Sequence, residues 1–247
     1  MNVKNIKSFI DFYKSLEIST CIAPFPRILN NENHKKPFLK KTNPPTVSHH
    51  NNKGKDEKLK ELIEEIKNCK CDLKDVATNT VFSDGQNNSK IMLIGEAPGA
   101  DEDKIGKPFV GQAGQLLDKM FDCINLNRKK NFYITNLVFW RPPGNRKPNK
   151  HEISTCLPLT KKHIGIINPK LLILLGNVAS QSILSSNEGI NILRKKENYF
   201  IDKELNLKIP VKAIFHPAYL LRNPIEKKTM WNDLLDIDEF ISNNNII

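Results

Sequence analysis

Three short stretches of this sequence set unusual polar residues directly after or within apolar runs. Gly95-Glu96-Ala97-Pro98-Gly99 follows "IMLI", Thr135-Asn136 lies in "FYITNLVF", and His216-Pro217-Ala218-Tyr219-Leu220 follows "VKAIF". A phenylalanine, Phe109, comes soon after the first of them in "GKPFVG". An asparagine amide carries donors and an acceptor and can read a heterocycle edge with the matching groups. A phenylalanine ring offers a face on which a planar base stacks. A histidine can donate a hydrogen bond to an oxygen on which charge develops as a group leaves. With the carboxylate of Glu96, these residues describe a pocket for one base taken out of its stack. The net charge of +11 suits a polyanionic backbone beside that pocket. Taken singly, a strand-end Asn or His is also a common structural cap, and Lys- and Asn-rich usage also follows from a biased genome.

The elements that must position these residues are legible as alternation. Strand-like apolar runs begin at residues 91, 132, 171 ("LLILLG") and 211, and "QLLDKMFDCI", "HEISTCLPLTKKHIGII" and "VASQSIL" between them have helical spacing. Such alternation predicts an α/β fold with a mainly parallel sheet covered by helices on both faces. In a parallel sheet ligands sit beyond the carboxyl ends of the strands, so Glu96, Asn136 and His216 converge on one cleft. Upstream, residues 5 to 17 have the spacing of a short amphipathic helix, and residues 23 to 57, rich in Pro, Asn and Lys, read as a linker. "KLKELIEEIKNC" then places Leu59, Leu62, Ile63 and Ile66 on one helical face. The expected division is 1–56, a short helix and basic linker, and 57–247, the catalytic domain.

Several classes are excluded or disfavoured. No apolar stretch reaches the roughly 18 residues that a membrane span needs. The N-terminal 20 residues carry charges inside their apolar run, a poor signal-peptide pattern. Five cysteines are an odd, sparse set that suits reduced thiols and a cytoplasmic location. Neither a P-loop nor a G-x-G-x-x-G fingerprint follows Gly95, and no zinc-ligand spacing or G-x-S-x-G elbow is present.

With Glu102-Asp103, "GKPFVG", "YITN", "RPPGNRKP" and "HPAYLLR", the GEAPG stretch resembles the linked motifs of family 4 uracil-DNA glycosylases, in the same order from about residue 66 to the C-terminus. The resemblance implies a three-layer α/β/α sandwich around a central, mainly parallel four-stranded sheet. It also implies hydrolysis of the bond between uracil and deoxyribose, which leaves an abasic site in DNA. By motif, Gly95, Ala97, Gly99, Phe109 and Asn136 bind uracil, with Phe109 stacking and Asn136 reading the Watson–Crick edge. His216 donates to uracil O2, and Glu96 lines the pocket or positions water. Leu220, beside Tyr219, is the expected wedge in the vacated stack, and Arg141, Asn145, Arg146 and Arg222 the expected backbone contacts. Uracil-containing DNA is the implied partner and a monomer the expected state. Two readings stay beside this one: a damage-binding protein with little catalysis, and a glycosylase preferring hypoxanthine or another deaminated base. No lysine stands where a Schiff base with the sugar is expected, so lyase activity is not.

The chain departs from the family at its iron–sulfur site. Most members hold a 4Fe–4S cluster on four cysteines, and the corresponding positions here are Asn68, Cys71, Trp140 and Cys156. Cys69 is a near neighbour with the wrong spacing, and tryptophan cannot ligate iron, so no cluster is expected. His151 resembles the histidine through which one relative is trapped on DNA, but the loop from Arg146 to Glu152 lacks that relative's insertion. An exposed position at a helix start is expected for it.

Overall fold

The computed structural model describes residues 52–247, with side chains from residue 54 onward. The helix expected over 5–17 and most of the 23–57 stretch lie outside the described residues. The amphipathic helix, α1 (Asn52–Asn68), begins before the expected 56/57 boundary, which therefore cuts it. Its first turns are tied down: Lys55 Nζ donates to the carbonyls of Ile167 (2.9 Å) and Asn87 (3.3 Å).

A single sheet organises the described residues. Its strands are β1 (Ser83–Gly85), β2 (Ile91–Gly95), β3 (Phe132–Asn136), β4 (Leu171–Leu175), β5 (Asn198–Asp202) and β6 (Leu207–Ile214), in the order β1-β3-β2-β4-β6-β5. The four expected strands form the parallel centre, and β1 and β5 add antiparallel edges. The sheet thus has six strands rather than four. β1 is three polar residues long, and in β5 only Phe200 is buried, so neither carries the apolar pattern of a central strand.

Every residue of β2, β3 and β4 is buried, as expected of strands covered on both sides. Their alternation separates two apolar cores. Ile91, Leu93, Phe132, Ile134, Leu171 and Ile173 face one side, where α4 (Gln112–Asp122) and the C-terminal α9 (Lys227–Asn243) supply Leu117, Phe121, Trp231 and Leu234. Met92, Ile94, Leu172 and Leu174 face the other, against α1 and α5 (Lys150–Ile167). This is the three-layer α/β/α arrangement.

Short helices fill the connections: α2 (Leu73–Val76), α3 (Ala100–Ile105), α6 (Asn177–Leu184), α7 (Ile190–Leu193) and α8 (Pro217–Arg222). β3 ends at Asn136 although apolar residues continue. Leu137 and Val138 instead donate to the carbonyls of Gly95 and Glu96, at 2.9 and 3.1 Å, which pins the two strand ends together.

Candidate active site

Register brings the chemistry to one edge. Gly95 pairs with Asn136 at the carboxyl ends of β2 and β3, while Leu175 pairs with Ile214 shortly before His216. A Cβ on Gly95 would lie 2.4 Å from Phe109 Cζ and 2.5 Å from Asn136 Oδ1. Only a glycine lets the ring and the amide meet there. Asn136 is 1% exposed, and in this amide orientation its Oδ1 has no hydrogen-bond partner. An unpartnered buried acceptor costs about 1–3 kcal/mol. Such a cost is tolerated where a ligand supplies the missing donor.

The loop from Pro98 to Gly111 is held by a carboxylate. Glu102 Oε1 accepts from the amides of Val110 and Gly111, each at 2.9 Å, and Oε2 accepts from that of Gly99 at 3.1 Å. Neighbouring Asp103 is buried and accepts from the amides of Thr78 (2.8 Å) and Asn79 (3.0 Å). The acids that follow the GEAPG stretch therefore brace this wall. Phe109 itself has left-handed backbone (φ 55°), and its ring centroid lies 5.7 Å from that of His216.

His216 caps α8. Its Nδ1 accepts from the amide of Ala218 at 3.2 Å, so in the neutral ring the proton sits on Nε2, which becomes a donor. Burial, seconded by the positive charge of Arg222, pulls the pKa of His216 down to about 4. The ring is thus neutral at physiological pH. Gly176 makes room for it, since a Cβ there would lie 2.9 Å from His216 Cβ. Burial raises the carboxyl of Glu96 above the usual range, opposed by Lys147.

These side chains share a cleft of about 420 Å³. Glu96, Ala97, Gly99, Phe109, Asn136 and His216 line it, with Asn145, Arg146, Lys147 and Arg222 also contributing. Gly95 lies behind Phe109 and Asn136.

Several carried-over roles fare differently. Leu220 is 0% exposed in the core, whereas Leu221 is 42% exposed, because successive helical residues point about 100° apart. The expected wedge residue is therefore turned inward. Tyr219 packs on Phe215 with ring centroids 5.2 Å apart. Arg146 forms a fork with the buried carboxylate of Glu152, at 2.9 and 2.5 Å, while its side chain stays 44% exposed at the cleft. Glu152 in turn completes a capping box with Asn149 at the start of α5. Arg141 donates to Asn145 Oδ1 at 2.7 Å and does not line the cleft. His151 is exposed in the first turn of α5, as expected.

The residues at the iron–sulfur positions do not fit a four-thiolate cluster. Trp140 is 1% exposed, packs edge-on against Phe139 and donates from Nε1 to Thr80 Oγ1 at 3.0 Å. Asn68 is exposed at the end of α1. Cys71 and Cys156 are buried, and burial pushes both thiols up. Among the described residues, no three His, Cys, Asp or Glu side chains are gathered to hold a metal ion.

Other contributors lie outside any motif read from the sequence. Arg128 grips the Phe109 loop, and Gly114 lets α4 start against it, since a Cβ at Gly114 would lie 1.9 Å from Phe109 O. No local pattern points to Arg128, because it acts on a segment 19 residues away in the chain.

Known proteins share this arrangement of sequence. The family model described as the uracil DNA glycosylase superfamily matches residues 82–235. A type-4 uracil-DNA glycosylase of Archaeoglobus fulgidus is 38% identical over 186 residues, which cover 74% of this chain and 93% of the relative. Its counterpart in Pyrobaculum aerophilum is 36% identical over 71% of this chain and 91% of the relative. The Thermotoga maritima enzyme of the same name is 37% identical over 68% and 85%. With the GEAPG, YITN and HPAYLLR segments meeting at one sheet edge and these matches along most of its length, the chain belongs to the type-4 uracil-DNA glycosylase family.

Proposed function

We propose that this chain is a monofunctional uracil-DNA glycosylase that starts base-excision repair. It extrudes uracil from DNA, hydrolyses the N-glycosidic bond and leaves an abasic site. The observation that carries this reading is the pairing, in one cleft, of a neutral His216 bearing its proton on Nε2 with a buried Asn136 whose Oδ1 lacks a hydrogen-bond partner. Uracil stacks on Phe109, and its N3–H supplies the donor that Asn136 Oδ1 lacks. As the bond from C1′ to N1 breaks, its electron pair passes to uracil, and His216 Nε2–H stabilises the charge at O2. Water then adds its oxygen to C1′ and gives up a proton. Ala97, where other glycosylases carry an aspartate, cannot orient that water, so departure of the anion dominates the barrier. Glu96, with its raised pKa, faces the same space and is the carboxyl available to position water.

The net charge of +11 favours backbone binding. Arg222 and Lys147 are the cations at the cleft best placed for it, and the exposed Leu221 takes the wedge role in place of Leu220. The proposal extends to a cytoplasmic monomer. Among the described residues, no helix is long and apolar enough to cross a membrane.

The test is single-turnover incubation with an oligonucleotide carrying one uracil, beside one carrying hypoxanthine, each developed with and without alkali. Cleavage at uracil that needs alkali is expected. No cleavage by folded protein would favour damage binding, cleavage at hypoxanthine alone would change the base, and strand breaks without alkali would implicate Lys147 as a lyase.

The proposal also has the enzyme working without a cluster. Protein purified anaerobically is expected to contain far less than stoichiometric iron and to lack broad visible absorption. About four iron atoms per chain would overturn this.

A further inference from the structure

We propose that Arg128 is a positioning residue for the base-stacking ring: its guanidinium holds the backbone turn that lays Phe109 over Gly95 and beside His216. This rests on the glycosylase reading for its consequence, though not for its geometry. Arg128 lies in the connection between α4 and β3, outside every motif, and its side chain is only 13% exposed. Nη2 donates to the carbonyl of Phe109 at 2.9 Å and Nη1 to that of Pro108 at 3.2 Å. Two carboxylates hold the guanidinium in turn: Asp118 on α4 accepts from Nε at 2.9 Å, and Asp84 on β1 accepts from Nη1 at 3.2 Å.

The target of this fork is a place in the site wall where a bulky aromatic residue has unusual backbone conformation. A bulky residue adopts positive φ only when its surroundings hold it there, and Phe109 has φ 55°. That turn sends the carbonyl towards Arg128 and the ring into the cleft. Glu102 grips the next two amides, so four successive residues, 108 to 111, have their backbone fixed by two side chains. A planar guanidinium can engage two successive carbonyls and two carboxylates together. A lysine keeps the charge and loses the fork.

The test combines Arg128→Lys with Phe109→Ala in a double-mutant cycle on single-turnover uracil excision. The ring is also observed directly by ¹⁹F resonance of 4-fluorophenylalanine placed at position 109. Arg128→Lys is expected to slow excision by about 10- to 100-fold alone, and by less than about 2-fold when Phe109 is already alanine. The fluorine line should shift or split in the Lys variant. Equal losses in both backgrounds, or an unchanged fluorine line, would overturn the assignment, since a merely structural arginine would act regardless of the ring. The fluorine readout stands even if the wild type excises no uracil, so failure of the glycosylase reading remains separable. Should Arg128→Lys fail to fold, Asp84→Asn loosens the same guanidinium and is expected to move the fluorine line in the same direction.

Discussion

Replacing His216 by alanine is expected to slow single-turnover excision by about 10²–10³-fold, the usual cost of removing one preorganised donor to a developing oxyanion. Binding to uracil-containing DNA should change far less, because the donor matters most when the glycosidic bond is nearly broken. Comparable losses in rate and binding, measured side by side, would refute this role. The ring's protonation gives a second check. Desolvated by its surroundings and repelled by Arg222, His216 has a pKa near 4 and serves as a neutral donor. The excision rate should therefore show no step at the ordinary histidine pKa of about 6.5. Stability carries the opposite signature. His216, and fully buried His163 with a pKa near 3, bind protons more readily unfolded than folded. Their contribution is present above about pH 6.5 and is lost as pH falls towards the folded values.

Asn136→Ala is expected to lower excision by at least about 10²-fold, since a site built to hydrogen-bond its substrate loses much of its discrimination with that group. It should not lower the thermal midpoint correspondingly. The Oδ1 atom is buried without a partner, so removing it relieves a desolvation cost. Activity and stability are thus predicted to move independently at this position. An active variant would remove the base-reading role. A midpoint that fell as steeply as the activity would show that the amide supports the fold instead.

Much of this was open to reading along the chain. Strands β2, β3 and β4 are short apolar runs broken by Gly or polar residues, and burial on both faces leaves that imprint whatever their neighbours are. α1, α4 and α5 show helical spacing because each buries one stripe. A parallel sheet places strand ends together, so Glu96, Asn136 and His216 could be assigned to one cleft before any coordinates. The missing cluster ligands were equally plain, since chemistry alone bars tryptophan from iron.

Other features depended on three-dimensional neighbours. The edge strands β1 and β5 are strands because β3 and β6 offer free backbone groups, not because of their own pattern. Leu220 and Leu221 are identical in type, and only the docking of α8 turns one into the core and the other to solvent. Arg146 also forks onto buried Glu152. Arg128, which no motif marks, meets the carbonyls of Pro108 and Phe109, contacts that only the packing of distant segments creates. Residue type and local spacing set what a side chain can do. Which partner it meets is settled by packing between segments far apart in the chain, and no local period records that.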